Sequence, residues 1–143
     1  MKTKITILLS LFLSVSCATT QMVPSNPTPI KSEVAHNTSK QLAFVKAMRW
    51  FNENFNDSKS VISYQDKDLG TIMGKYLAYY QAPGEYTPEI KNYSIIEVTI
   101  DDKNAIIIIK PDYNNVPILF RNMAIQTIVN NNNALLNSFK NSF

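Results

Sequence analysis

The side chains able to do chemistry in this chain are few and scattered. His36 is the only histidine and Cys17 the only cysteine among 143 residues. Four of the eleven carboxylates come in two tight pairs, Asp66 with Asp68 and Asp101 with Asp102. A general acid–base pair needs two groups whose surroundings push their proton affinities apart. Both acidic pairs instead fall in short polar stretches between apolar runs, where Asp serves turns by bonding its own backbone. A calcium loop needs more oxygens at fixed spacing than either stretch supplies. His36 sits at a predicted strand-to-helix junction, which fits capping or surface contact better than catalysis. No nucleophile elbow, paired-histidine metal motif, P-loop or dinucleotide glycine pattern occurs. Gly70-x-x-x-Gly74-Lys75 has some spacing of a phosphate loop but lies inside a predicted hairpin. The expectation is no catalytic residue, no metal and no cofactor.

Cys17 carries the strongest chemical signal. It closes a run with Lys2 and Lys4 at its start, an apolar stretch from Ile5 to Val15, and Ser16 before the thiol. That order of charge, apolar core and small exit residue is a secretory signal, and it is short for a membrane span. The closing Ser14-Val15-Ser16-Cys17 is similar to a bacterial lipobox, with Ser14 where leucine is usual. The alternative is an ordinary signal peptide with Cys17 incidental. The lipobox likeness implies a thioether-linked diacylglycerol on Cys17 and an acylated (palmitate-type) amino terminus, which together anchor stably where one chain would not. Lipidation would consume the only thiol, leaving the domain no disulfide, thiolate metal site or cysteine nucleophile. The residues after Cys17 show no acidic retention signal. The expected location is the cell envelope, at the periplasmic face of an outer membrane.

Processing before Cys17 would leave 127 residues with 12 Lys+Arg against 11 Asp+Glu, a net charge of about +1. No clustered basic face for nucleic acid is visible in that balance. The expected division is a signal peptide at 1–16, a lipidated start and Pro/Thr/Ser-rich tether at 17–29, and one domain at 30–143. Pro24, Pro27 and Pro29 would stiffen the tether.

Within the domain, Ile30 to Ala35 suits a first short strand. A helix follows from Asn37 or Thr38, with Thr38-x-x-Gln41 at capping-box spacing. Leu42, Val45, Met48, Phe51 and Phe55 give its apolar stripe, flanked by Phe44 and Trp50. Strands are predicted at Ser60 to Gln65 and Thr71 to Tyr80, joined at Asp66 to Gly70. Gly74 signals a bulge or a close approach. Two more strands follow, Tyr93 to Ile100 and Ala105 to Lys110. The four consecutive isoleucines of the last suit an inner strand covered on both faces. From about Arg121 to Ser142 the period is helical, with Ala124, Ile128, Leu135, Phe139 and Phe143 on one face. Asn130 to Asn133 predicts a kink or split, since asparagine is a weak helix former. The pattern is α+β: an antiparallel four- to five-stranded meander with an N-terminal and a C-terminal helix on one face, in the order (β)αββββα.

The stretch WFNENFNDSKSVISYQDKDLGTIMGK resembles the central motif of a bacterial domain family of unknown function with a TATA-box-binding-protein-like (TBP-like) fold. Trp50-Phe51, Val61-Ile62, Asp66-Lys67 and Gly70-x-x-x-Gly74-Lys75 carry the likeness, which extends over roughly Ile30 to Asp112. The resemblance implies the fold and a frequent lipoprotein setting, and no mechanism. It does not import DNA binding, because function belongs to sites and not to folds. Seven tyrosines remain, most on or beside the predicted sheet. Tyr79 and Tyr93 are the candidate residues of an interaction face, since tyrosine is enriched at recognition surfaces. The expected function is a non-enzymatic envelope lipoprotein that engages another envelope protein. The alternative is a periplasmic small-molecule or lipid-binding module.

Overall fold

The computed structural model describes residues 28–114 and 116–143. The signal, Cys17 and nearly all of the tether lie outside the described residues. The elements run β1 (Ile30–Ala35), α1 (Lys40–Asn54), the one-turn α2 (Ser58–Val61), β2 (Ile62–Asp66), β3 (Thr71–Gln81), β4 (Ile90–Ile100), β5 (Asn104–Pro111), a 3-10 turn (Ile118–Phe120) and α3 (Arg121–Lys140). The strands form one antiparallel sheet in the order β1-β5-β4-β3-β2. β2 to β5 are a meander, and β1 closes it by pairing with β5 from Ile30–Ile109 to Ala35–Asn104. The fold class is the α+β arrangement that the pattern predicts.

The sheet has one dry face. Ile96, Val98 and Ile100 of β4, Ala105, Ile107 and Ile109 of β5, and Ile72 of β3 all point to it, and each is at most 1% exposed. Register explains the alignment: Val98 pairs with Ile107 on one side and Ile72 on the other. A period of two then sends Tyr93, Ile95, Glu97 and Thr99 to the opposite face. The isoleucine run of β5 occupies an inner strand. Ile107 and Ile109 are buried, while Ile106 and Ile108 are half-buried on the second face.

α1 begins one residue later than the capping box suggests. The Ser39 hydroxyl accepts from the Leu42 amide, so Ser39 is the N-cap. Its buried stripe is Ala43, Phe44, Ala47, Trp50 and Phe51, and Leu42 and Val45 remain about half exposed at 50% and 48%. The helix is thus rotated by about 100°, one residue step, from the largest aliphatic stripe. Ala43 and Ala47, four apart, let the backbone approach the sheet closely. The rotation also brings Trp50 edge-on to Phe51, Phe55 and Phe139 at centroid distances of 4.9, 5.9 and 5.2 Å. Such edge contacts add to simple burial. A ring of hydrogen bonds ties α1 to α3. Trp50 Nε1 donates to Ser138 Oγ (3.1 Å), Ser138 Oγ to Asn54 Oδ1 (2.9 Å), and Asn54 Nδ2 to the Trp50 carbonyl (2.9 Å).

The expected strand at Ser60 to Gln65 starts late. Asp57 caps α2 by accepting from Ser60, and extended pairing begins only at Ile62. The third strand of the meander starts at Ile90, three residues before Tyr93. Gly74 does mark a close approach: a Cβ there would lie 3.0 Å from the Val61 carbonyl and 3.3 Å from Phe51. Gly70 closes the β2–β3 turn at φ +74°, where L residues are strained.

α3 is a single unbroken helix, and the expected kink at the asparagines does not occur. Their partners explain this. Asn132 falls on the inward face between Ile128 and Leu136 and is 1% exposed. Its Oδ1 accepts the Tyr76 hydroxyl in a short hydrogen bond. Asn131 Nδ2 donates to the Ala78 carbonyl (3.0 Å), and Asn130 Oδ1 accepts from Gln126 (3.1 Å). The bonds of Asn131 and Asn132 to β3, with the i,i+4 bond of Asn130 on the helix surface, offset the propensity cost of about 0.5 kcal/mol per asparagine.

Candidate functional site

The carboxylate pairs and His36 make hydrogen bonds at turns and at a strand-to-helix junction. Asp66 Oδ1 accepts the amides of Asp68 (2.9 Å) and Leu69 (2.8 Å). Asp101 Oδ1 likewise accepts those of Lys103 (2.7 Å) and Asn104 (2.6 Å). These are Asx turns closing two hairpins. The amides of Lys103 and then Asn104 hold the Asp101 carboxyl below its ordinary range. Among the described residues, no three His, Cys, Asp or Glu side chains gather as a metal group. His36 is buried at the end of β1, each ring nitrogen 3.1 Å from a carbonyl oxygen, that of Thr38 and that of Asp101. The ring thereby links the β1–α1 junction to the β4–β5 turn.

The tyrosine pair does not share a face. Tyr93 pairs with Leu77 on the face away from the helices, with Lys75 Nζ 4.6 Å from its ring centroid. A bulge between Leu77 and Tyr79 shifts the phase of β3, so Tyr79 sits opposite buried Asn92 and is only 9% exposed. Its hydroxyl donates to Gln81 Oε1 at 3.1 Å. The extra residue of a bulge swaps faces for everything after it, and the sequence around Ala78 carries no glycine to betray it. Tyr79 therefore leaves the candidate face, and Tyr80 takes its place.

The uncovered face is built from every strand but consists mainly of β3, β4 and β5. Leu77 and Ile95 are each 43% exposed, with Tyr64 at 44% and Tyr80 at 50%. Met73, Tyr93, Ile106 and Ile108 are half-buried among them. Lys110 Nζ, 2.7 Å from Glu97 Oε2, crosses the middle as an ion pair. Exposed aliphatic and tyrosine side chains there alternate with the Lys31–Glu33 and Lys110–Glu97 pairs and with Lys75 and Lys91, so positive charge is largely countered and the face suits a protein surface better than a polyanion.

A second feature was not legible in the sequence. A groove of about 530 Å³ opens between the C-terminal end of α1 (Asn54, Phe55), the middle of β3 (Tyr76, Leu77) and α3 (Asn131, Ala134, Leu135, Ser138). It exists because β2 pairs only as far as Gly74, while β3 continues to Gln81. Tyr76 forms its inner wall. Burial pushes the Tyr76 phenol up to about 12.

Layering and strand order define the class: the fold is TBP-like. Residues 33–96 match the family model described as a domain of unknown function (DUF4468) with TBP-like fold. The match runs from β1 into β4, a narrower span than the resemblance covered, and includes all four of its marker pairs. A TBP-like protein from Parabacteroides distasonis ATCC 8503 superposes with a TM-score of 0.52 at 14% identity, over 84% of this chain and 97% of that one. A DUF4468 family protein from Bacteroides ovatus ATCC 8483 gives a TM-score of 0.52 at 11% identity, over 82% and 89%. No curated protein matches the chain. At these identities the likeness is one of fold.

Proposed function

We propose that the chain as a whole is a DUF4468-type envelope lipoprotein, anchored through Cys17 and without enzymatic activity, whose open sheet face binds another envelope protein. The observation that carries the reading is that face: Leu77, Ile95, Tyr64 and Tyr80 stand 43–50% exposed on one side of a rigid sheet. Tyrosine and aliphatic groups with few net charges are the composition of interface cores, and a sheet holds them in fixed register. The test is a photo-crosslinking residue placed at position 93 or 95 in intact cells, with position 126 on α3 as the control. A defined adduct at 93 and 95 but not at 126 is expected. Equal patterns at all three positions would refute the sheet face as the docking surface.

The groove beside Tyr76 favours a second reading, a small-molecule or lipid-binding module. Its volume lies within the range of ligand sites, and its walls mix Phe55 and Leu135 with the amides of Asn54 and Asn131. Leu135→Trp would fill the groove. Loss of a co-purifying small molecule in that variant, with the crosslinks unchanged, would shift the assignment to this reading.

A further inference from the structure

The two ends of the sheet differ in what they present. Ile30, the first residue of β1, pairs with Ile109 near the end of β5. Ser94 pairs with Pro111, so the start of β4 and the β3–β4 connection lie at that same end. The chain thus enters the domain beside the segment that leaves β5 for the 3-10 turn and α3. α3 then runs toward the opposite end, where Phe143 lies 6.1 Å from the His36 ring.

The entry pole is apolar at its tip. Ile118 and Leu119 are adjacent and 88% and 90% exposed, with Met123 at 59% one turn on and Tyr86 of the β3–β4 connection at 89%. Two neighbouring aliphatic side chains held this far into water bury nothing within the domain. Behind them α3 opens on Arg121, with no acidic residue in its first turn and no side-chain bond from its N-cap, Phe120. Arg121 places a cation directly behind this tip, while Glu85, which accepts the Tyr86 hydroxyl (3.0 Å), and the Lys91–Glu89 pair (2.8 Å) share the same pole. The far pole is polar, with the Asx-turn carboxylates Asp66 and Asp101 beside Asp68 and Asp102, interleaved with Lys67, Lys103 and Lys40.

We infer that the entry pole rests on a lipid bilayer, with Ile118 and Leu119 in the boundary between headgroups and acyl chains and Arg121 at the lipid phosphates. Shallow apolar insertion behind a cationic group is the physical mode of interfacial binding. The inference rests on the reading of Cys17 as the anchor. Thr28 is eleven residues from Cys17, and that length spans at most ~40 Å, so anchor and pole would meet one membrane. Seated this way, the sheet stands along the membrane normal and its open face looks sideways, clear of the lipid.

In a chain acylated at Cys17, a cysteine introduced at position 119 is the only free thiol. The test is Leu119→Cys carrying an environment-sensitive fluorophore, in vesicles of phosphatidylethanolamine and phosphatidylglycerol, with Lys67→Cys as the far-pole control. A blue-shifted emission at 119, quenched by lipids brominated on their acyl chains, is expected, with an aqueous spectrum at 67. Adding Ile118→Glu should abolish the quenching at 119. Equal aqueous spectra at both positions would overturn the inference. So would shielding at 119 that appears only on contact with a second protein chain. The mass of the mature protein reports acylation separately. If Cys17 is unmodified, the labelled chain with Cys17→Ser is mixed with the same vesicles. There a persistent shift at 119 upholds the pole, and its loss rejects it.

Discussion

The contact between Tyr76 and Asn132 is the sharpest test of how the C-terminal helix is held. Tyr76 is 8% and Asn132 1% exposed, and the phenol donates to the amide oxygen. Removing the hydroxyl with Tyr76→Phe leaves that oxygen buried without its donor, which costs about 1–3 kcal/mol. Asn132→Leu removes the amide and strands the hydroxyl at a similar cost. The double variant strands neither group, so a double-mutant cycle in urea unfolding should return a coupling of about 1–2 kcal/mol. The phenol adds a pH signature. Its folded value is raised from 10.0 to about 12 by burial. The unfolded chain therefore releases this proton first as pH rises. The stabilisation is complete below pH 10 and disappears as pH climbs through 12. Two units correspond to about 2–3 kcal/mol, so the wild-type curve should fall more steeply than that of Tyr76→Phe between those limits. A coupling near zero with parallel alkaline curves would refute the claim that this bond keeps α3 unbroken through its asparagines.

Other outcomes follow from single contacts. Gly70→Ala places a Cβ 2.3 Å from the Ile100 carbonyl at positive φ, against 3.0 Å from the Val61 carbonyl for Gly74→Ala. Thermal unfolding should show losses of about 1–3 kcal/mol at position 74 and a larger loss at position 70. The Ser32 hydroxyl is buried and makes no hydrogen bond among the described residues, so Ser32→Ala should leave stability unchanged or raise it by up to about 1 kcal/mol. Asp101 is held low by the Lys103 and Asn104 amides. Its contribution is present above the ordinary carboxylate value and is lost as pH falls through the lower folded one. Asp101→Asn should therefore flatten the acid limb of the stability curve below pH ~4.

Much of this architecture could be read from residue pattern, for identifiable reasons. Strand alternation is local, so β3, β4 and β5 lie close to where the β-rich runs place them. The isoleucines of β5 require cover on both sides, and an inner strand supplies it. Three features are hidden from residue pattern, two because they depend on a partner far along the chain and one because of an unmarked bulge. The facing of α1 is set by the fully buried Ala43 and Ala47 and by Trp50 meeting Phe139, which outweigh the larger aliphatic stripe. The asparagine run looked like a break because its compensation comes from Tyr76 and Ala78, more than fifty residues earlier. Tyr79 lies on the helix-covered face because one unpaired residue in β3 inverts alternation without a marker in composition.

The same reasoning separates fold from role. A two-layer domain with both long helices on one side must leave the other sheet face to solvent, whatever its function. What varies among such domains is the chemistry on that face. Here aliphatic groups and tyrosines share the face with the Lys110–Glu97 and Lys31–Glu33 pairs and with Lys75 and Lys91, a surface without the dense unpaired positive charge that holds a phosphate backbone. A face of this kind gains from burial against another apolar surface and gains little from a polyanion. Charge substitution discriminates between the two. Ile95→Lys should weaken a protein contact at the sheet by inserting an unpaired ammonium into it, and would strengthen a nucleic-acid contact at low salt. The sign of that change, read by crosslinking yield for the first and by retention on DNA for the second, decides which chemistry the open face serves.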